Sequence, residues 1–315
     1  MIDLIIFLAL IGAIFMGISI GASSVPPAFG PVTSSGSVGV LKAALLAGIA
    51  ACLGAILQGG SVTATVGSGM MFGEIETIQA FAILTVSSLL VIVSVLTKYP
   101  MPTAFTIVGS VVGSAFSFGN GIRWGTLQMI VAYWALVPII AILCAYSISW
   151  LLQKYVSKEK SKKPIQYLTL MMGLFVAYNA GANSVGLAVG PLMGLGLEII
   201  LLLILGGISI LAGAWILSPK IIDAVSFEYS NIGPRRSISA LATAGILAQI
   251  GIFLGVPISF GQAIIASTIG SGLIVGTSGV GKKKIAFTSG AWVSAIFIAI
   301  GLTYLFGNLL QYIAG

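Results

Sequence analysis

Long apolar runs recur along this chain with almost nothing charged inside them, and that pattern decides what its surface can meet. Runs near 4–20, 41–58, 77–97, 125–152, 197–218, 237–256 and 285–312 approach the ~20 residues that a helix needs to cross a bilayer. Shorter, glycine-broken runs lie near 104–118, 166–180 and 261–277. Of the 315 residues 58% are apolar and 7% charged, and mean hydropathy is +1.15. A soluble domain carries about a quarter charged residues. The sequence therefore predicts an all-α integral membrane protein of about 10–12 transmembrane segments, with no separate soluble domain. The first apolar run has no basic start and no distinct small-residue cleavage site, so it reads as a retained helix. Cys52 and Cys144 fall inside apolar runs and read as small apolar fillers.

The net charge of +7 is concentrated in Lys154–Lys163 and Lys282–Lys284. In an apolar chain such clusters mark the cytoplasmic side rather than a nucleic-acid surface. Enzyme chemistry finds no footing. There is no histidine, hence no Ser-His-Asp triad and no usual zinc site, and no carboxylates pair at catalytic spacing. The glycine-rich GTSGVGKKK from Gly276 has neither the spacer nor the Ser/Thr of a phosphate-cradling loop. No cofactor is implied.

The chain repeats itself. GASSVPPAFGPVTSSG from Gly21 laid over GANSVGLAVGPLMGLG from Gly181 coincides at Gly21, Ala22, Ser24, Val25, Ala28, Gly30, Pro31 and Gly36. PMPTAFTIVGSVVGS from Pro100 lies over PISFGQAIIASTIGS from Pro257, and SVTATV from Ser61 over KIIDAV from Lys220. The offsets are 160, 157 and 159 residues, which predicts a first repeat over 1–152, a polar basic linker over 153–164 (QKYVSKEKSKKP) and a second repeat over 165–315. Lys282–Lys284 stands where Gly121–Arg123 stands in the first half. Placing both lysine clusters in the cytoplasm requires the halves to be inverted, with both termini outside.

Gly/Ser/Asn/Pro stretches interrupt apolar runs at matching places in both halves, the sequence pointer to a transporter's central site. Broken helices expose unpaired N–H groups and a positive dipole end, so four such ends meeting at one spot would bind an anion without lysine or arginine. Ser23, Ser24, Asn183 and Ser184 are expected to cap helix N-termini there or to donate to oxyanion oxygens, and Thr103, Thr106, Ser259 and Gln262 to do the same from the second pair of breaks. Small residues at these places equally suit close helix packing. Asp223, three residues after Lys220, is either that lysine's partner or a coupling-ion or proton group.

These segments resemble the inorganic phosphate transporter family, which includes sodium–phosphate symporters and bacterial sulfate permeases. Its twice-repeated G-A-N-D-V-A-N-A is seen as GASSVPPA from Gly21 and GANSVGLA from Gly181, and its P-V-S-T-T-H as PMPTAF from Pro100 and PISFGQ from Pro257. GGSVTATV from Gly59, GPRRSISALATA from Gly233 and the segments around Trp134 and Trp292 extend the likeness over nearly the whole chain. The resemblance implies inverted repeats with helical hairpins, a central oxyanion site and a homodimer in the plasma membrane. Both motif aspartates are replaced, by Ser24 and Ser184, and the motif histidine by Phe105 and Gln262. Their loss weakens the usual carboxylate-bearing sodium site, leaving Na+ or H+ open as coupling ion. It also favours sulfate, which carries no proton for a carboxylate to recognise, over phosphate. A sodium-coupled phosphate symporter, an uncoupled anion channel and a non-transporting scaffold or receptor are the alternatives.

Overall fold

The computed structural model describes residues 2–34, 38–97, 102–155, 162–219, 222, 234–275 and 282–314. Apolar composition without surface charge yields helices that satisfy their own backbone, the solution a bilayer demands. They are α1 (Ile2–Ser24), α2 (Pro26–Ser34), α3 (Val40–Gln58), α4 (Gly60–Ala64), α5 (Thr77–Thr97), α6 (Thr103–Phe118), α7 (Trp124–Tyr155), α8 (Lys162–Val189), α9 (Ile199–Ile216), α10 (Pro234–Phe253), α11 (Phe260–Gly272) and α12 (Lys282–Ala314). A π-helical turn over Thr65–Gly69 continues α4, and 3-10 turns follow α8 and α11. Among the described residues the only β-type pairing is one antiparallel bridge, Met71 to Ile122.

Eight helical stretches among the described residues are long and apolar enough to cross a membrane. The sequence-based count of 10–12 included shorter pieces. At 1.5 Å per residue, the 16 residues of α6 and 13 of α11 reach only about 24 and 20 Å, short of a ~30 Å hydrocarbon layer. Burial separates centre from periphery. The α8 span is 78% buried, whereas those of α7 and α12 are 28% and 22% buried and turn Leu143, Trp150, Phe297 and Leu305 outward.

Close helix approach comes from glycine, and the contacts recur along the chain. A Cβ built at Gly181 on α8 would collide with the Ala51 carbonyl oxygen on α3, and one at Gly54 on α3 with that of Tyr178 on α8. About 160 residues away, Gly21 on α1 meets the Ile210 carbonyl on α9, and Gly213 on α9 that of Ile18 on α1. A second set joins Gly113 on α6 to Ile300 on α12, and Gly270 on α11 to Ile142 on α7. Thus α1 packs on α9 as α8 packs on α3, and α6 on α12 as α11 on α7.

Of the two expected breaks, one is absent where it was expected and one falls inside its stretch. The run near 166–180 is part of one helix of 28 residues that continues through Gly181–Ser184 to Val189, where Gly190 and Pro191 end it. The first-half break falls after Ser24, and α2 restarts on Pro26 and Pro27. Residues 156–161 within the predicted linker, and Asp223, lie outside the described residues. Helix α7 extends through Tyr155, past the expected start of that linker.

Candidate functional site

Trp134 on α7 and Asn183 on α8 meet at one level of the bundle. Along α7, Trp134 stands about 15 Å from Trp124 and about 32 Å from Tyr155 at 1.5 Å per residue. Asn183 stands the same ~32 Å from Lys162 along α8. At this level the connection between α10 and α11, residues 254–259, comes in beside both helices.

Side chains from α7 and α8 hold that connection. Asn183 Nδ2 donates to the Ile258 carbonyl at 3.0 Å, and its Oδ1 accepts from the Ile258 N–H at 2.7 Å. Trp134 Nε1 donates to the Pro257 carbonyl at 2.8 Å. Gln262 Nε2 donates to the Trp134 carbonyl at 3.1 Å, and the Trp134 ring lies 3.8 Å from that of Phe105 on α6. Ser259 caps α11, its Oγ accepting from the Gln262 N–H at 3.3 Å. Asn183, Ser259, Gln262, Trp134 and Phe105 are all buried.

The predicted site residues divide. Ser259 and Gln262 occupy a helix N-terminus as expected, and Thr103 opens α6 after Pro102. The Thr106 hydroxyl donates to the Pro102 carbonyl at 3.0 Å. Asn183 and Ser184 do not cap a helix N-terminus, because α8 runs unbroken past them. Nor do Ser23 and Ser24, which end α1; the Ser23 hydroxyl donates to the Ser19 carbonyl at 2.8 Å. The α2 start offers few donors, since Pro26 and Pro27 have no N–H and the Ala28 N–H is taken by the Val25 carbonyl at 3.1 Å. The expected four converging N-termini therefore reduce to those of α6 and α11. These meet the other half: α6 packs on α8, and α11 on α2.

Two polar atoms at this level have no partner, Ser184 Oγ and Gln262 Oε1. The next residue group outward is the α4 segment with its π-helical turn, which lies on α8: Gly186 faces Val62 and Thr63, and Gly190 faces Val66. A π-turn packed at a site's edge is a frequent functional feature. The carboxylates whose side chains are placed, Glu74, Glu76 and Glu198, are exposed near helix ends. Among the described residues no group of His, Cys, Asp or Glu could hold a metal ion. Among the described residues what remains is a buried set of hydroxyls, amides and helix N-termini without a carboxylate, chemistry suited to an anion.

The role of Trp134 was missed by motif reading, which carried it only as part of a resemblance. Its signal is its position, ten residues into a helix that follows a basic turn. The backbone of Ile258 has no sequence signal at all.

The profile of the phosphate transporter family matches residues 20–303. The chain belongs to that family. Within it, the chain is 27% identical over 308 residues to the sulfate permease CysP of Bacillus subtilis, covering 96% of this chain and 87% of that one. It is 26% identical over 310 residues to a putative phosphate permease of Methanocaldococcus jannaschii, covering 98% and 99%. A solved structure described as the sodium-dependent phosphate transporter superposes with a TM-score of 0.85 at 20% identity, over 98% of this chain and 99% of that one. Family members are transporters and permeases, so the chain is a multi-pass anion transporter.

Proposed function

We propose that this chain is a plasma-membrane permease for a tetrahedral inorganic oxyanion, sulfate favoured over phosphate, working by alternating access between inverted halves, 1–152 and 165–315. The observation that carries this reading is the mid-depth cluster around α11's first turn, where oriented amides and hydroxyls stand without a buried carboxylate among the placed side chains. Ser23, Ser24, Thr103 and Thr106 from the first half, with Ser184, Ser259 and Gln262 from the second, are the substrate-binding candidates. Asn183 acts by holding Ile258. The exchange of glycine contacts at near-constant offsets supports two equivalent halves, and the likeness to the Bacillus subtilis sulfate permease supports sulfate.

Coupling runs through Na+ or H+, with Asp223 a candidate group outside the described residues. The oligomer is a homodimer, and the basic linker is cytoplasmic. A second reading, a sodium-coupled phosphate symporter, draws on the sodium-dependent phosphate transporter whose structure superposes on this one.

The test is uptake of labelled sulfate and phosphate into proteoliposomes, with sodium and proton gradients varied independently. Concentrative sulfate uptake exceeding phosphate uptake is expected, and transport of neither anion overturns the reading. Uptake that never becomes concentrative identifies a channel. Ser24→Asp combined with Ser184→Asp should raise phosphate relative to sulfate, since a carboxylate repels a dianion that brings no proton.

A further inference from the structure

The geometry points to Gln262 as the residue that limits sulfate selectivity, by presenting to the substrate a hydrogen-bond acceptor whose direction the Trp134 main chain fixes. This rests on the permease reading above. Gln262 is 6% exposed. Its Nε2 is held by the Trp134 carbonyl at 3.1 Å, and its Oε1 is buried with no partner. An amide can usually turn over to suit its ligand, offering N–H groups to one and oxygen to another. Here it cannot. Turning it would set Oε1 against the Trp134 carbonyl oxygen, two acceptors face to face.

The carbonyl that imposes this cannot itself shift easily. Trp134 is anchored on two further sides, its Nε1 on the Pro257 carbonyl and its ring against Phe105. Ser259 caps the same turn through the Gln262 N–H, so the backbone beneath the side chain is also held.

A second unpartnered atom, Ser184 Oγ, follows Asn183, whose amide clamps Ile258 one turn before Gln262. A hydroxyl rotates to donate or accept and so treats oxyanions alike. First-turn N–H groups that lie ahead of the capped Gln262 donate to any anionic oxygen. Gln262 is different. Near neutral pH phosphate always carries a P–OH that can donate to Oε1. All four sulfate oxygens are acceptors, so against sulfate the buried amide oxygen stays unpaired and faces like charge. With no aspartate at position 24 or 184 to repel a dianion, sulfate is admitted, while Gln262 favours phosphate, and phosphate competes for the site.

The test is sulfate uptake into proteoliposomes with phosphate as competitor, for the wild-type chain, Gln262→Met and Gln262→Glu. Methionine keeps the length and removes the acceptor. It is expected to raise the sulfate-to-phosphate selectivity ratio about tenfold, the scale of one buried unpaired acceptor. Glutamate makes the acceptor charged and is expected to move the ratio at least as far the other way. Thermal unfolding in detergent establishes that each variant is folded, and either variant alone decides the matter if the other does not fold. A ratio within twofold of wild type in a folded variant, or wild-type uptake indifferent to phosphate, overturns the assignment while leaving the permease reading intact. A wild-type chain that moves neither anion overturns both.

Discussion

Asn183 spends both ends of its amide on one peptide unit. A main-chain N–H and C=O buried without partners each cost about 1–3 kcal/mol, so Asn183→Ala should destabilise the docked α10–α11 connection by about 2–6 kcal/mol. Asn183→Asp should fare no better, because it loses the donor and turns a negative oxygen toward the Ile258 carbonyl. Thermal unfolding of purified variants reads this directly, and an unchanged transition would show that Ile258 is held by something else. The motif asparagine was legible as important but not as a clamp. Its partner lies 75 residues away in sequence, and an isolated Asn reads equally well as ligand or brace. Ser259 was more readable, since a serine before a helical run with a free first turn predicts the cap it makes. Trp134 illustrates the opposite limit. Its indole contacts Pro257 and Phe105 through tertiary packing, which no local spacing encodes.

At the scale of elements, glycine carried two meanings that sequence cannot separate. The Gly21 stretch does break a helix, because Pro26 and Pro27 follow it. The related Gly181 stretch has Gly186 and Leu187 at the equivalent places, and α8 continues to Val189. Inside a membrane, glycine in a continuous helix marks close backbone approach. Gly181 does this against Ala51, and Gly21 against Ile210. Gly181→Ala should therefore force α8 away from α3 and cost at least about 3 kcal/mol, the top of the usual overpacking range at a side-chain contact, because the obstacle is backbone. Gly301→Ala on α12, where an added Cβ meets nothing within 4 Å, is the control and should be neutral within about 0.5 kcal/mol. Equal unfolding temperatures for the two variants would remove the packing explanation. The same comparison separates packing from substrate contact, since Gly181 offers no side chain to an anion.

For the whole molecule, the exchange of partners between halves gives the orientation question physical weight. Helices α6 and α12 pack together, as do α11 and α7, so each short helix leans on the long peripheral helix of the other half. Two halves interlocked in this way share one central level, at which Trp134 from the first half holds Pro257 and Gln262 of the second. Rocking one half against the other would then pull on this junction from both sides. If the halves are inverted, Lys282–Lys284 shares a membrane face with Lys163, while Gly125, at the start of α7, lies on the opposite face. Parallel halves instead put Lys283 and Gly125 on one face, at equivalent starts of α12 and α7. Single cysteines at positions 125, 163 and 283, introduced as Gly125→Cys, Lys163→Cys and Lys283→Cys after Cys52→Ser and Cys144→Ser, distinguish the two. With an impermeant maleimide on intact cells, Gly125→Cys should label from outside, and the two lysine positions only after permeabilisation. Labelling of Lys283→Cys from outside would make the halves parallel. The helix N-termini of α6 and α11 would then enter from the same face, and the shared mid-depth site on which alternating access depends would be lost.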